Sequence, residues 1–171
     1  MPPVVVLVGV PGSGKSTVGR ILAARLGLGF RDTDVDIEEE HGRSIPDIFV
    51  QDGESTFRAW ERDAVGRALD EHEGVLSLGG GAVLDPATRE RLRAHRTVWL
   101  KVSPAAGASR VGLDAPRPVL LGNVRGRLTQ LLAERTPWYE EVSDDTVDTD
   151  DLKPEAVADR IEAFLGAEGR T

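Results

Sequence analysis

The chain has 171 residues, 29 acidic against 21 basic, and a formal net charge of −8 at pH 7. That size predicts one domain spanning 1–171 with enough chain for a real core, and the negative balance argues against broad nucleic-acid binding. With 40% hydrophobic residues and no cysteine, a disulfide scaffold, a thiolate nucleophile and a cysteine metal site are excluded. No uncharged run approaches membrane-spanning length, and Met1-Pro2-Pro3 leads straight into the first strand, so neither an anchor nor a signal peptide is expected and a cytoplasmic enzyme is the default.

Val4 to Val8 is an apolar strand that runs into Gly9-Val10-Pro11-Gly12-Ser13-Gly14-Lys15-Ser16-Thr17, after which Val18, Ile21, Leu22 and Leu26 recur at helical spacing. Glycines at a strand-to-helix turn let backbone N–H groups wrap a phosphate, and the positive end of the following helix faces the same anion. Lys15 supplies a mobile charge for the β- and γ-phosphates, and the Ser16 hydroxyl can ligate Mg²⁺. The chain is therefore expected to bind a nucleoside triphosphate.

Gly27 closes the first helix, and Gly29 to Asp34 reads as a short second strand that brings Asp32 and Asp34 to its carboxyl end. On an extended segment the two point the same way, one toward a metal and the other toward a phosphate acceptor. Six acidic residues lie between Asp32 and Glu40, over a short predicted helix from Val35. Ser44 caps a further helix with Pro46 in its first turn, and Gly53 to His72 carries a longer one. Its apolar stripe is Phe57, Trp60, Ala64, Val65, Ala68 and Leu69, with Arg58, Glu61 and Arg62 on other faces. Periodicity leaves Arg58 open between a solvated helix arginine and a cleft arginine for a carboxylate.

Gly74 to Leu78 is a buried strand ending in Gly79-Gly80-Gly81, where a ligand is expected close to the backbone. The strand carries no carboxylate, so the metal role falls to Asp32 by topology. Asp85 caps a short helix with Pro86 first. Thr97 to Val102 is a strand whose buried face is Val98, Leu100 and Val102, with Trp99 packed under a helix on the other side. Ser103 and Pro104 open a helix containing Arg110. Residues 112–122, bounded by glycines and carrying Arg117 between two prolines, read as a flap that closes over the nucleotide and excludes water. A helix from Asn123 buries Leu128, Leu131 and Leu132 and ends near Pro137, with Arg135 in its last turn. A last strand, Thr146 to Thr149, leads through Pro154 into a helix with Ala158, Ile161, Phe164 and Leu165 inward, and Gly166 to Thr171 is expected to fray. Five strands alternating with helices predict a three-layer α/β domain with a parallel sheet.

These motifs together resemble the shikimate kinase family over essentially the whole chain. The residues that carry the resemblance are the loop at 9–17, Asp32-Thr33-Asp34, Gly42-Arg43-Ser44-Ile45-Pro46-Asp47-Ile48-Phe49, Gly53 to Arg58 with Glu61, Leu78 to Val83, Arg117-Pro118-Val119-Leu120, and Arg135-Thr136-Pro137-Trp138-Tyr139. The resemblance implies a P-loop NTPase fold with strand order 2-3-1-4-5, an acceptor-binding helical region at about 34–60 and a flap at about 112–122. It implies ATP-dependent phosphorylation of the 3-hydroxyl of shikimate, with Mg²⁺ as cofactor, in a monomer with no nucleic-acid or membrane partner. By similarity, Asp34 contacts the ring hydroxyls, Arg58 and Arg135 pair with the shikimate carboxylate, and Gly79, Gly80 and Gly81 border the ring. Lys15 and the loop residues Gly12, Ser13, Gly14, Ser16 and Thr17 hold the phosphates, and Ser16 and Asp32 organise Mg²⁺. Arg117 closes over the phosphates, while Arg110 and the backbone at Pro154 border the adenine. Competing readings are a related kinase for gluconate or a nucleoside monophosphate, and a nucleotide-dependent switch without acceptor chemistry.

Overall fold

The computed structural model describes residues 2–111 and 123–168. The expected flap at 112–122, with Arg117, lies outside the described residues. Five strands form one parallel sheet in the order β2-β3-β1-β4-β5. They are β1 (Val5–Val8), β2 (Phe30–Asp32), β3 (Val75–Ser77), β4 (Thr97–Lys101) and β5 (Asp145–Asp148). Seven helices are described: α1 (Lys15–Leu26), α2 (Thr33–His41), α3 (Ile45–Glu71), α4 (Pro86–Leu92), α5 (Pro104–Val111), α6 (Val124–Val142) and α7 (Pro154–Glu168). The order is the one the resemblance implied.

Alternation along β1 explains the three layers. Val5 and Leu7 pack with Val18 and Leu22 of α1 and Ile161 of α7, while Val6 and Val8 face α3 and α6 on the other side. Both faces are covered, which is why the strand reads as an unbroken apolar run rather than as alternating polar and apolar residues. In β4, Val98 and Leu100 join the α1 and α7 side, whereas Trp99 turns to the other face and stacks on Tyr139 with ring centroids 5.7 Å apart. The strand stops at Lys101, so Val102 joins the Trp99 side rather than the Val98 face expected for it. A separate small core of Ile37, Ile48, Phe57 and Ala64 welds α2 to α3. The side chain of Leu26, expected inward, is 38% exposed at the last turn of α1.

Four further local expectations are corrected. Asp34 is not on a strand: β2 ends at Asp32, whose side chain caps α2 by accepting the Asp34 N–H at 2.8 Å, so Asp34 sits in the first helical turn. The two predicted helices around Gly53 are joined as α3 across a break where Gly53 has φ 84° and ψ 163°. Finally, α6 does not stop near Pro137 but continues to Val142 with the proline inside it. A proline there forfeits one backbone bond; burial of Tyr139 and Val142 beyond it favours the helical path. Helix α7 likewise extends to Glu168, past the expected point of fraying.

Leu22 is fully buried between the sheet and α7, whereas Val50 on α3 is 86% exposed. Leu22→Ala is expected to cost about 2–5 kcal/mol in urea unfolding, and Val50→Ala no more than about 0.5 kcal/mol.

Candidate active site

The donor half grows from the turn after β1. Gly12 and Gly14 have φ of 86° and 93°, a left-handed backbone that other residues adopt only under strain, and Gly14 is the N-cap of α1. The first turn of α1 carries no acidic residue, so its positive end is left for an external anion. Lys15 donates from Nζ to the carbonyls of Gly9 at 2.6 Å and Val10 at 3.2 Å, which stretches the side chain back along the loop. The Ser16 hydroxyl donates to Asp32 Oδ2 at 3.2 Å, while Asp32 Oδ1 is held by the Asp34 N–H. Among the described residues no group of three or more His, Cys, Asp or Glu could hold a metal. The Ser16 and Asp32 pair nevertheless suits Mg²⁺, which takes one or two protein oxygens and fills its octahedron with phosphate and water.

The acceptor half faces this turn across Gly79 to Gly81. Two of the three glycines leave no room for a side chain. A Cβ on Gly79 would come within 2.5 Å of Asp34 Oδ1 and 3.0 Å of Glu61 Oε2, and one on Gly81 would collide with the Arg58 guanidinium. At Gly79 and Gly81 the close neighbours are the site's own charged groups, Asp34, Glu61 and Arg58. Thr33 supports the turn by accepting the Gly79 N–H at 3.2 Å.

Arg58 and Arg135 come from separate helices to the same turn. Arg58 donates to Glu61 at 2.9 Å and more distantly to Glu54 at 3.4 Å. Arg135 is 4% exposed and lies beside Gly80. Each has a buried Nε without a hydrogen-bond partner among the described residues. Leaving guanidinium donors unanswered is costly, and a planar anion such as a carboxylate is the group that guanidinium forks are shaped to receive.

Glu61, expected on an outer face, is buried and occupies the apolar stripe with Phe57, Ala64 and Ala68. Its position at the helical spacing of that stripe, with Arg58 one turn before it, is the sequence signal that could have marked it. Burial pushes its carboxyl above the ordinary value, opposed by the charges of Arg58 and Arg135. Tyr139 does more than pack. It is fully buried, and its hydroxyl donates to the Gly80 carbonyl at 2.6 Å.

One cleft of about 630 Å³ joins the two halves and is lined by Lys15, Ser16, Asp32, Asp34, Arg58, Glu61, Gly79 to Gly81, Arg110 and Arg135. At its far end stand Leu152 and Pro154. Arg110 lies between that end and the loop, donating to Gly12 O at 3.3 Å and to both the hydroxyl and the carbonyl of Thr149, at 3.0 and 2.8 Å. Gly12, Ser13, Gly14 and Thr17 complete the phosphate side of the cleft. The structure thus brings together every predicted site residue that lies among the described residues.

A phosphate-binding turn at the carboxyl edge of a five-stranded parallel sheet, opposite a cleft wall of carboxylates and guanidiniums, defines a small P-loop kinase. The sequence model of the shikimate kinase family matches residues 11–166, and the chain belongs to that family. The shikimate kinase of Thermobifida fusca is 52% identical over 167 residues, which span 98% of this chain and 97% of the relative. That of Salinispora arenicola is 50% identical over 167 residues, 98% of this chain and 100% of the relative. Among solved structures, shikimate kinase from Acinetobacter baumannii in complex with shikimate superposes with a TM-score of 0.94 at 34% identity, covering 100% of this chain and 96% of that one.

Because Glu61 holds its proton more tightly when folded, its contribution to stability is present below the unfolded value near 4.5 and is lost as pH rises through the higher folded value. Urea unfolding followed upward from the unfolded value of 4.5 should therefore show a downward component that Glu61→Gln removes. An identical pH profile in the two proteins would contradict this assignment.

Proposed function

We propose that this shikimate kinase family member transfers the γ-phosphoryl group of ATP to the 3-hydroxyl of shikimate, giving shikimate 3-phosphate and ADP in the chorismate pathway. The observation that carries the reading is the convergence of Asp34, Arg58 and Arg135 on Gly79 to Gly81, facing the phosphate loop across one cleft. A ring bearing both hydroxyls and a carboxylate matches that wall, with Asp34 for the hydroxyls and the two guanidiniums for the carboxylate. Residues 34–60 serve as the acceptor-binding helical region and 112–122 as the flap, with Arg117 on the phosphates. Arg110 and Pro154 border the adenine. The enzyme acts as a cytoplasmic monomer.

Phosphoryl transfer needs in-line placement and charge neutralisation more than a strong base. Gly12, Ser13, Gly14 and Thr17 cradle the phosphates through the loop and the start of α1, and Lys15 swings from its loop carbonyls onto the β- and γ-oxygens. Ser16 and Asp32 would hold Mg²⁺, whose charge, when bound, offsets that gathering on the phosphate oxygens. Asp34 orients the acceptor hydroxyl and takes its proton late, since a carboxylate is too weak a base to ionise an alcohol beforehand.

Asp34→Asn is expected to lower kcat by about 10²–10⁴-fold while leaving the ATP dissociation constant within about twofold. Near-full turnover would remove Asp34 from the mechanism. Arg58→Ala should raise the shikimate KM by roughly 10–100-fold through loss of a charge-assisted pair; an unchanged KM would count against it. The acceptor itself is tested by coupled ADP release with shikimate, gluconate, AMP and CMP. Turnover on shikimate alone is the expected result, and preference for any other member of the panel overturns the reading.

A further inference from the structure

Of the three glycine carbonyls in the turn, two are answered from within it: Gly79 O accepts the Ala82 N–H and Gly81 O accepts the Leu84 N–H, each at 3.0 Å. The middle one, Gly80 O, is answered from α6 by the Tyr139 hydroxyl at 2.6 Å. Three consecutive glycines have little intrinsic stiffness, so their orientation rests on such external bonds. The Arg135 guanidinium lies beside the same glycine, its Nη1 within 3.4 Å of where a Gly80 Cβ would stand. Arg135 and Tyr139 are four residues apart and share a face of α6, a relation that requires the helix to continue through Pro137. On the opposite side the Tyr139 ring is stacked on Trp99, which locates the ring independently of its hydroxyl. Burial pushes the phenol up to about 12, so it remains a donor across the range in which the enzyme works.

We propose that Tyr139 is a positioning residue for the acceptor carboxylate, its hydroxyl holding the Gly80 carbonyl so that the glycine turn keeps its place beside the Arg135 guanidinium and the two meet the acid group together. This rests on the reading of shikimate as acceptor. Tyr139 does not line the cleft and reaches it only through the glycine turn, so its effect falls on binding of the acid. A ring-only role, by contrast, would survive loss of the oxygen.

The test is Tyr139→Phe, which keeps the ring and its stack on Trp99. The shikimate KM is expected to rise about tenfold, with kcat within about threefold and the ATP KM within about twofold, as for loss of one buried hydrogen bond that leaves a carbonyl unanswered. The preference for shikimate over its methyl ester should narrow by a similar factor, because the defect concerns the carboxylate. Leu131→Ala, a core-weakening change on the same helix, is the control and should leave that preference unchanged. An unchanged shikimate KM in Tyr139→Phe, or an equal narrowing in Leu131→Ala, overturns the proposal. If the wild-type protein does not phosphorylate shikimate, the acceptor reading fails and this one with it. An active wild type with an unaffected Phe variant removes Tyr139 alone.

Discussion

The site depends on the parallel register of three strands. Leu7, Ser77 and Asp32 lie side by side across β1, β3 and β2, so the three chains leave the sheet at one level. The segments beyond them are thereby brought into one space: the phosphate loop after β1, the glycine turn after β3, and the acidic start of α2 after β2. Parallel strands supply this because all their carboxyl ends face the same way, and the crevice forms where neighbouring chains depart in different directions. A slip of one residue in β2 would turn the Asp32 side chain to the opposite face of the sheet, away from Ser16.

Charge is handled differently in the two halves. In the donor half the groups are backbone dipoles and one mobile lysine, exposed enough to exchange carbonyl partners for phosphate oxygens. In the acceptor half, Glu61 and Arg135 are buried and Arg58 nearly so, and removing such groups from water is expensive unless they answer one another. Glu61 meets part of that demand by accepting from Arg58, and the glycines allow the approach by offering no side chain. The arrangement is rigid where it must recognise an acid and yielding where it must pass a phosphoryl group. It also explains how a chain of net charge −8 can receive anions: the guanidiniums act locally at the cleft wall, while most of the excess acidity lies elsewhere.

Much of this was legible in one dimension. The phosphate loop announces itself because its chemistry is made by contiguous backbone, and the strands do so because burial on both faces leaves an apolar run. The misread positions share another cause. Asp34 follows a strand so closely that only the cap formed by Asp32 separates its helix from an extended path. Pro137 signals a helix end by its own bond chemistry, yet packing of the residues beyond it overrides that local preference. Glu61 looks like surface because charge usually is, although its spacing matches the buried stripe.

By itself the sequence determined the nucleotide-binding turn and the alternation of strands and helices, since each is written in contiguous residues whose spacing has a physical meaning, and it carried the family as a resemblance in the order of its motifs. Only the tertiary structure decided that Arg58 faces the cleft, that Glu61 and Tyr139 stand behind the acceptor wall, and that the glycines make room for Asp34 and Arg58. Those facts join residues far apart in the chain, and their energies come from burial and from exchange of hydrogen bonds across elements. No local pattern carries that information.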